Sequence, residues 1–280
     1  MSRRMLRAAR TAGLVVAGIG VATLGALAEQ VTRQDSRPDP WPEIAASVFK
    51  GRPIADGAGL IAIEMPGRAE DAAIVPVTVR ATLPPGDLRR VRAFTVVIDE
   101  NPAPVAATFT IGPSAVVSSI STRVRVDSYT NVHAVAELTD GKLYVVKTYV
   151  KASGGCSAPA VNSADKAGVG QMRFRQFARA ADAAAGNLRD AQVTIRHPNN
   201  SGLQMDQVTR LYVPAYFVQS VKVWQGEELL LAVESSISIS EDPSFRFTYL
   251  PSKARSFAVE AVDTDNRIFK AAWPVDASQM

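Results

Sequence analysis

The chain has 280 residues but one cysteine, Cys156, and two histidines, His133 and His197. A single cysteine excludes an internal disulfide framework and any multi-cysteine zinc or iron–sulfur site. Two histidines leave little for a His-based metal centre, so no cofactor is expected. No apolar run reaches the ~20 residues that a membrane-spanning helix needs. What is present is ordinary: 47% hydrophobic and 21% charged residues exclude general disorder. The length suits one large domain or two small ones.

The formal charge of +4 sits at the front. Residues 1–28 hold Arg3, Arg4, Arg7 and Arg10 and no acid, then an apolar Gly/Ala-rich stretch ending Ala26-Leu27-Ala28. A basic start, a short apolar run and an A-x-A close define a secretory signal peptide cleaved after Ala28. The expected location is therefore periplasmic, by the Sec or, given Arg3-Arg4, the twin-arginine route. Removing the four leader arginines from 31 basic residues leaves 27, equal to the 27 acids. The mature chain is formally neutral, without a basic run interleaved with aromatics, so nucleic-acid binding has no support. No permanent membrane span is expected either.

Residues 29–52 form an N-terminal extension. Within it Trp41, Ile44, Ala45, Val48 and Phe49 fall at helical spacing, Pro42 suits a first turn and Gly51 a stop, which predicts one short helix. From Gly59 the period becomes two. Ile74 to Val79, Val91 to Ile98, Ala106 to Ile111, Ser119 to Val126, Asn131 to Leu138 and Leu143 to Lys151 read as strands. Thr122-Arg123-Val124-Arg125-Val126 alternates as a half-solvated strand does, which puts both arginines in solvent. Residues 153–168, around Gly154-Gly155-Cys156-Ser157-Ala158-Pro159, offer almost nothing to bury and read as an exposed linker. Strand pattern resumes at Gln171 to Arg175; Asp182 to Asn187 is Ala-rich and ambiguous. Further strands run from Ala191 to Arg196, Tyr216 to Trp224, Glu228 to Val233, Phe245 to Tyr249, Phe257 to Val262 and Ile268 to Trp273. The fold class is all-β: two immunoglobulin-like β-sandwich domains, 53–152 and 169–276, joined by a flexible Gly/Ser/Ala linker, with a short N-terminal helix.

An unpaired thiol in an oxidising compartment is a liability unless buried or used. Gly154 and Gly155 have no side chains to cover Cys156, so the sequence predicts an exposed, chemically used thiol. Cys-His hydrolysis needs an oriented base and an oxyanion hole, which a mobile linker does not supply. Both histidines read as structural, His197 at a turn-like strand exit and His133 within a strand. Disulfide exchange ordinarily needs a second cysteine. A carrier remains: a thiol that holds a covalent group and moves between enzymes. Three other signals read as local structure. Asn199-Asn200-Ser201 is a chance glycosylation match, Asp263 to Asn266 a hairpin turn, and Asp99-Glu100 a solvated strand exit.

Ile54-Ala55-Asp56-Gly57-Ala58-Gly59, Val75-Pro76-Val77-Thr78-Val79, Asn101-Pro102-Ala103-Pro104 and Val150-Lys151-Ala152-Ser153-Gly154-Gly155-Cys156 resemble SoxY. Ile195-Arg196-His197-Pro198, Val213 to Val218 and Val221-Lys222-Val223 resemble SoxZ. The pattern is similar to fused SoxYZ-like carriers associated with quinoprotein dehydrogenases, as is Ser238 to Pro243. The resemblance implies a non-enzymatic periplasmic carrier with a sulfur intermediate attached to Cys156, and with Gly154 and Gly155 giving the arm its reach. It implies c-type cytochromes, sulfur-processing hydrolases and dehydrogenases, or a quinoprotein dehydrogenase, as partners. Ser157-Ala158-Pro159 and a second domain replace the free Gly-Gly-ended tail of SoxY, so the arm is an internal loop. The competing reading is a docking or assembly module in which Cys156 forms an intermolecular disulfide.

Overall fold

The computed structural model describes residues 38–159, 168–177 and 187–276. The expected signal peptide, linker residues 160–167 and most of the Ala-rich stretch at 182–187 lie outside the described residues. Among the described residues, no helix is long and apolar enough to cross a membrane.

The one helix, α1 (Trp41–Val48), follows Pro40 and has proline in its first turn, where the missing N–H would bond nothing in any case. Gly51, at φ +69°, ends the turn that follows. Beyond it the chain forms β1 (Ile54–Asp56), β2 (Ile61–Glu64), β3 (Val75–Ala81), β4 (Val91–Ile98), β5 (Val105–Ile111), β6 (Val117–Val124), β7 (Thr130–Leu138) and β8 (Leu143–Val150). The second half adds β9 (Met172–Phe177), β10 (Arg189–Ile195), β11 (Val218–Gln225), β12 (Glu228–Ser235), β13 (Ser244–Tyr249), β14 (Ser256–Asp263) and β15 (Ile268–Pro274).

These strands make two sheets. One has nine strands, in the order β1-β8-β7-β4-β5-β12-β11-β14-β15; the other has six, β2-β3-β6-β13-β10-β9. Only β1 on β8 is parallel among the named pairs. The chain is all-β with one short helix, as its period-two runs imply. Each half contributes to both layers, and the halves join edge to edge twice. β5 pairs with β12, from Ile111↔Leu231 to Ala107↔Ser235, and β6 pairs with β13 around Ile120↔Phe247.

A single buried apolar cluster runs through both halves, from Val75, Phe94 and Phe109 to Val193, Phe245 and Phe257. Phe109 meets Phe245 edge to face across the join, with ring centroids 6.0 Å apart. Burying such rings contributes roughly 1.5–3 kcal/mol each, and the edge-to-face contact about 1 kcal/mol more. The two halves are therefore coupled by backbone pairing and by shared core.

Two expectations about polar residues need correction. Asp99 is not a solvated strand exit. It is 6% exposed, and its carboxylate accepts a hydrogen bond from His133 Nδ1 at 2.9 Å. The Asp99 N–H continues the ladder to the Asn131 carbonyl, and Trp41 of α1 stacks on His133 at 3.7 Å, so water is excluded. Arg125 is not on a solvated face. Strand β6 ends at Val124, its alternation breaks there, and Arg125 turns inward to 1% exposure.

Candidate functional site

Cys156 lies where the first half hands over to the second, and the structure seats it there. It is fully buried, so the expected exposed thiol is corrected for the arrangement seen. The cause is backbone rather than side-chain cover. Gly154 N–H donates to the Asp127 carbonyl at 2.8 Å and Gly155 N–H to the Val126 carbonyl at 2.9 Å, while Val126 N–H donates to Ala72 O at 2.8 Å. The loop is thus clasped against the exit of β6.

The two glycines have different jobs. Gly154 adopts φ +78°, and a Cβ there would meet only Ser157 Oγ, at an ordinary 4.0 Å, so it is the conformation that asks for glycine. Gly155 is wedged: a Cβ there would lie 2.0 Å from Ala72 O and 2.7 Å from Val126 O. The pair serves as a close fit as well as a source of freedom.

The buried Arg125 guanidinium binds the loop to the second half. It donates to Gly155 O at 3.1 Å and to Asn199 O at 3.4 Å, and its Nε has no hydrogen-bond partner. Ser201 Oγ donates to the carbonyl of Cys156 itself. Asn199 is held by accepting from Val218 N–H at 3.0 Å, and its N–H donates to His197 Nδ1 at 3.1 Å. Buried Asn199 is part of this cradle, so the glycosylation pattern it begins is a chance match.

Family-like motifs on either side brace the cradle. Asn101 Nδ2 donates to Arg125 O at 2.7 Å and to Ser238 Oγ at 2.9 Å, and Asn101 Oδ1 accepts from Asp127 N–H at 2.9 Å. Ser238 Oγ donates to Ala103 O and Ser240 Oγ to Ala73 O, each at 2.7 Å. Each serine crosses from the second half to the first.

Electrostatics make the seated thiol inert. Burial first, and the Asp127 carboxylate second, push the Cys156 thiol up to about 12, opposed by a smaller lowering from Arg125. A thiolate is the nucleophile, and almost none exists near neutral pH in this seat. Burial likewise lowers the pKa of Arg125, with Glu241, Cys156 and Asp71 opposing.

Neither histidine hydrogen-bonds the thiol. His133 is engaged with Asp99 and Trp41. His197 is buried, its Nε2 lacks a hydrogen bond, and Asp263 Oδ2 is 3.7 Å away, already accepting from Tyr216 OH at 2.8 Å. Burial lowers the His197 pKa, with Asp263 the first opposing influence. The Asp263 stretch is the hairpin turn that was expected: Asp263 Oδ1 accepts from the N–H groups of Asp265 and Arg267, both at 2.9 Å.

Sequence reasoning thus found the thiol and its glycines but missed Arg125, Asn199 and Ser201. For Arg125 one signal existed: an arginine in the last step of an alternating strand, immediately before Val126-Asp127, where a turn resets the pattern.

Two family models match the chain. Sulfur oxidation protein SoxY covers residues 45–156, and sulphur oxidation protein SoxZ covers residues 177–274. No curated protein matches. Among solved structures, the sulfur carrier protein SoxY from Chlorobium limicola f thiosulfatophilum is similar at 27% identity and TM-score 0.34, over 40% of this chain and 91% of that one. A point variant of superoxide reductase (neelaredoxin) from Ignicoccus hospitalis is similar at 14% identity and TM-score 0.30, over 34% of this chain and 82% of that one. Family membership rests on the two matched segments, which together span most of the chain. The chain belongs to the fused SoxYZ-like carriers, non-catalytic proteins of sulfur oxidation, with a SoxY domain followed by a SoxZ domain in one polypeptide.

Proposed function

We propose that Cys156 is the covalent attachment point for the carried sulfur group, and that this chain presents it to partner enzymes in the periplasm. The observation that carries the reading is positional. The SoxY match ends at residue 156, on the chain's only cysteine, inside a Gly-Gly-Cys loop at the junction with the second half.

The loading step balances as an oxidative coupling. The Cys156 thiol and a sulfur oxyanion such as sulfite join through a new Sγ–S bond, one proton leaves the thiol, and two electrons pass to an acceptor of the c-type cytochrome class. Removing the group by hydrolysis or by a reductant returns the thiol. Both steps need a reachable sulfur, so the loop must leave its seat first. Once in water the thiol returns toward its ordinary pKa of about 8.5, and a usable thiolate fraction appears. Gly154 supplies the backbone freedom for that movement.

The partners in this reading are c-type cytochromes, sulfur-processing hydrolases or dehydrogenases, or a quinoprotein dehydrogenase. A disulfide-linked dimer through Cys156 is the less favoured reading: it too needs the buried sulfur to leave its seat, and the SoxY match supports a carrier. Replacing the chromosomal copy with Cys156→Ser tests the proposal. A folded, exported variant that no longer supports sulfur-dependent respiration is expected; undiminished respiration would refute the attachment role.

A further inference from the structure

The outer face of the six-stranded sheet carries an open groove of about 440 Å³ that the thiol chemistry does not use. Four guanidinium groups line it: Arg123 from β6, Arg246 from β13, and Arg173 and Arg175 from β9. No carboxylate does. Between the arginines the floor is hydroxylic, and Ser244 Oγ ties Gln192 at 2.7 Å to Thr194 at 3.1 Å.

The four cations are not equally satisfied. Arg246 is neutralised by Asp190 at 2.6 Å and lies over the Phe177 ring at 4.3 Å. Arg123 donates to the backbone carbonyl of Asp242 at 2.8 Å, and its buried Nε has no hydrogen-bond partner. Arg173 and Arg175 are exposed on edge strand β9 and make no ion pair among the described residues. Three guanidinium groups therefore face the groove without a compensating carboxylate, two of them held out from a sheet edge.

Size decides between possible anions. The groove crosses β3, β6, β13, β10 and β9, five neighbouring strands. At about 4.8 Å per strand the span is roughly 19 Å, several times the width of one tetrahedral oxyanion. We propose that this groove is a docking surface for an acidic face of a partner protein, whose carboxylates pair with Arg123, Arg173 and Arg175. Guanidinium forks suit bidentate carboxylate contacts, and uncompensated charge of one sign gives orientation and fast encounter. The groove straddles the β6–β13 join, and Arg123 lies two residues before Arg125, which holds Gly155 O at 3.1 Å. A partner seated there bears on the strand that leads to the cysteine loop. The proposal stands whether or not Cys156 carries a group.

Hexaglutamate labelled with a fluorophore is the probe, titrated with the full chain at low salt and followed by anisotropy. Arg173→Glu/Arg175→Glu is expected to weaken binding at least about tenfold, and Arg173→Gln/Arg175→Gln by less. Lys147→Glu/Lys222→Glu, the same change of charge at exposed sites on the nine-stranded sheet, is expected to leave binding within about twofold. Equal weakening by both double charge reversals, or no binding by the wild type, would overturn the proposal. So would displacement of the probe by sodium sulfate but not by sodium chloride of equal ionic strength, which would mark a small-oxyanion site.

Discussion

Ser201, in the SoxZ half, donates its hydroxyl to the backbone carbonyl of Cys156, the last residue matched to SoxY. The second half therefore grips the peptide that carries the thiol of the first. Arg125 adds a second grip by bonding Gly155 O and Asn199 O together. Fusion puts both partners of this grip in one polypeptide, where they cannot dissociate.

The glycine wedge makes the first prediction. Gly155→Ala drives a Cβ into Ala72 O, so the loop is expected to leave its seat. Alkylation of Cys156 by iodoacetamide under native conditions should accelerate at least about tenfold, the equivalent of about 1.4 kcal/mol of lost seating. Gly154→Ala makes only an ordinary 4.0 Å contact with Ser157 Oγ and suffers from its positive φ, a cost of roughly 1 kcal/mol. It should therefore accelerate alkylation less than Gly155→Ala does.

Arg125 supplies the second. Arg125→Ala strands the Gly155 and Asn199 carbonyls and opens a cavity, which should destabilise the fold by about 2–4 kcal/mol in urea unfolding. Ser201→Ala removes only one hydroxyl donor and should cost about 1 kcal/mol. A smaller effect for Arg125→Ala than for Ser201→Ala would contradict the assignment of Arg125 as the principal tie.

How legible was this from sequence? Period-two runs such as Val75-Pro76-Val77-Thr78-Val79 announced the sheets, because one face of each strand must be apolar. The pairing of β5 with β12 left no such mark. Strand partners are chosen by three-dimensional edges, and nothing in Val105–Ile111 or Glu228–Ser235 names the other. The cysteine loop was found by its composition and then misplaced by it. Small residues look unburiable when burial is counted in side chains, yet Gly155 is buried because it lacks one and lets two carbonyls close over it. Arg125 was misread because alternation was carried one step past the end of β6.

Proton linkage gives the third prediction. The seated thiol is held up to about 12, whereas a thiol in the released loop titrates near 8.5. Between those values the released loop gives up a proton that the seated one keeps, so rising pH favours release. Seating is intact below about pH 8.5 and should weaken by up to about 1.4 kcal/mol per pH unit above it. Hydrogen exchange of the Gly154 and Gly155 amides, corrected for its intrinsic pH dependence, should report this opening. In Cys156→Ser the extra pH dependence should vanish.

His197 gives the fourth, with the opposite sign. Its pKa is lowered by burial, so the unfolded chain, titrating near 6.5, binds a proton that the folded chain resists. Its contribution to stability is complete above about pH 6.5 and is lost as the pH falls below that value. Thermal unfolding of wild type against His197→Gln should show a steeper acid decline in the wild type. Asp263, Asp242 and Tyr216 surround the ring and are present in both proteins.

The helix provides a fifth. Trp41 stacks on His133 at 3.7 Å with planes 10° apart, while α1 has no fully buried residue of its own. Trp41→Ala should cost about 1–2 kcal/mol and expose the segment around Phe49 to limited proteolysis. Cleavage there at the wild-type rate would show that the stack does not hold α1 in place.

The carrier role itself is tested most directly by intact-mass measurement. The chain would be incubated with sulfite or thiosulfate and a c-type cytochrome preparation as the electron acceptor. The expected result is a mass increment equal to the sulfur species, mapped to the peptide containing Cys156, removed by reductant and absent from Cys156→Ser. An increment that persists in Cys156→Ser, or a wild-type chain that stays unmodified while the sulfur compound is consumed through it, would contradict attachment at Cys156.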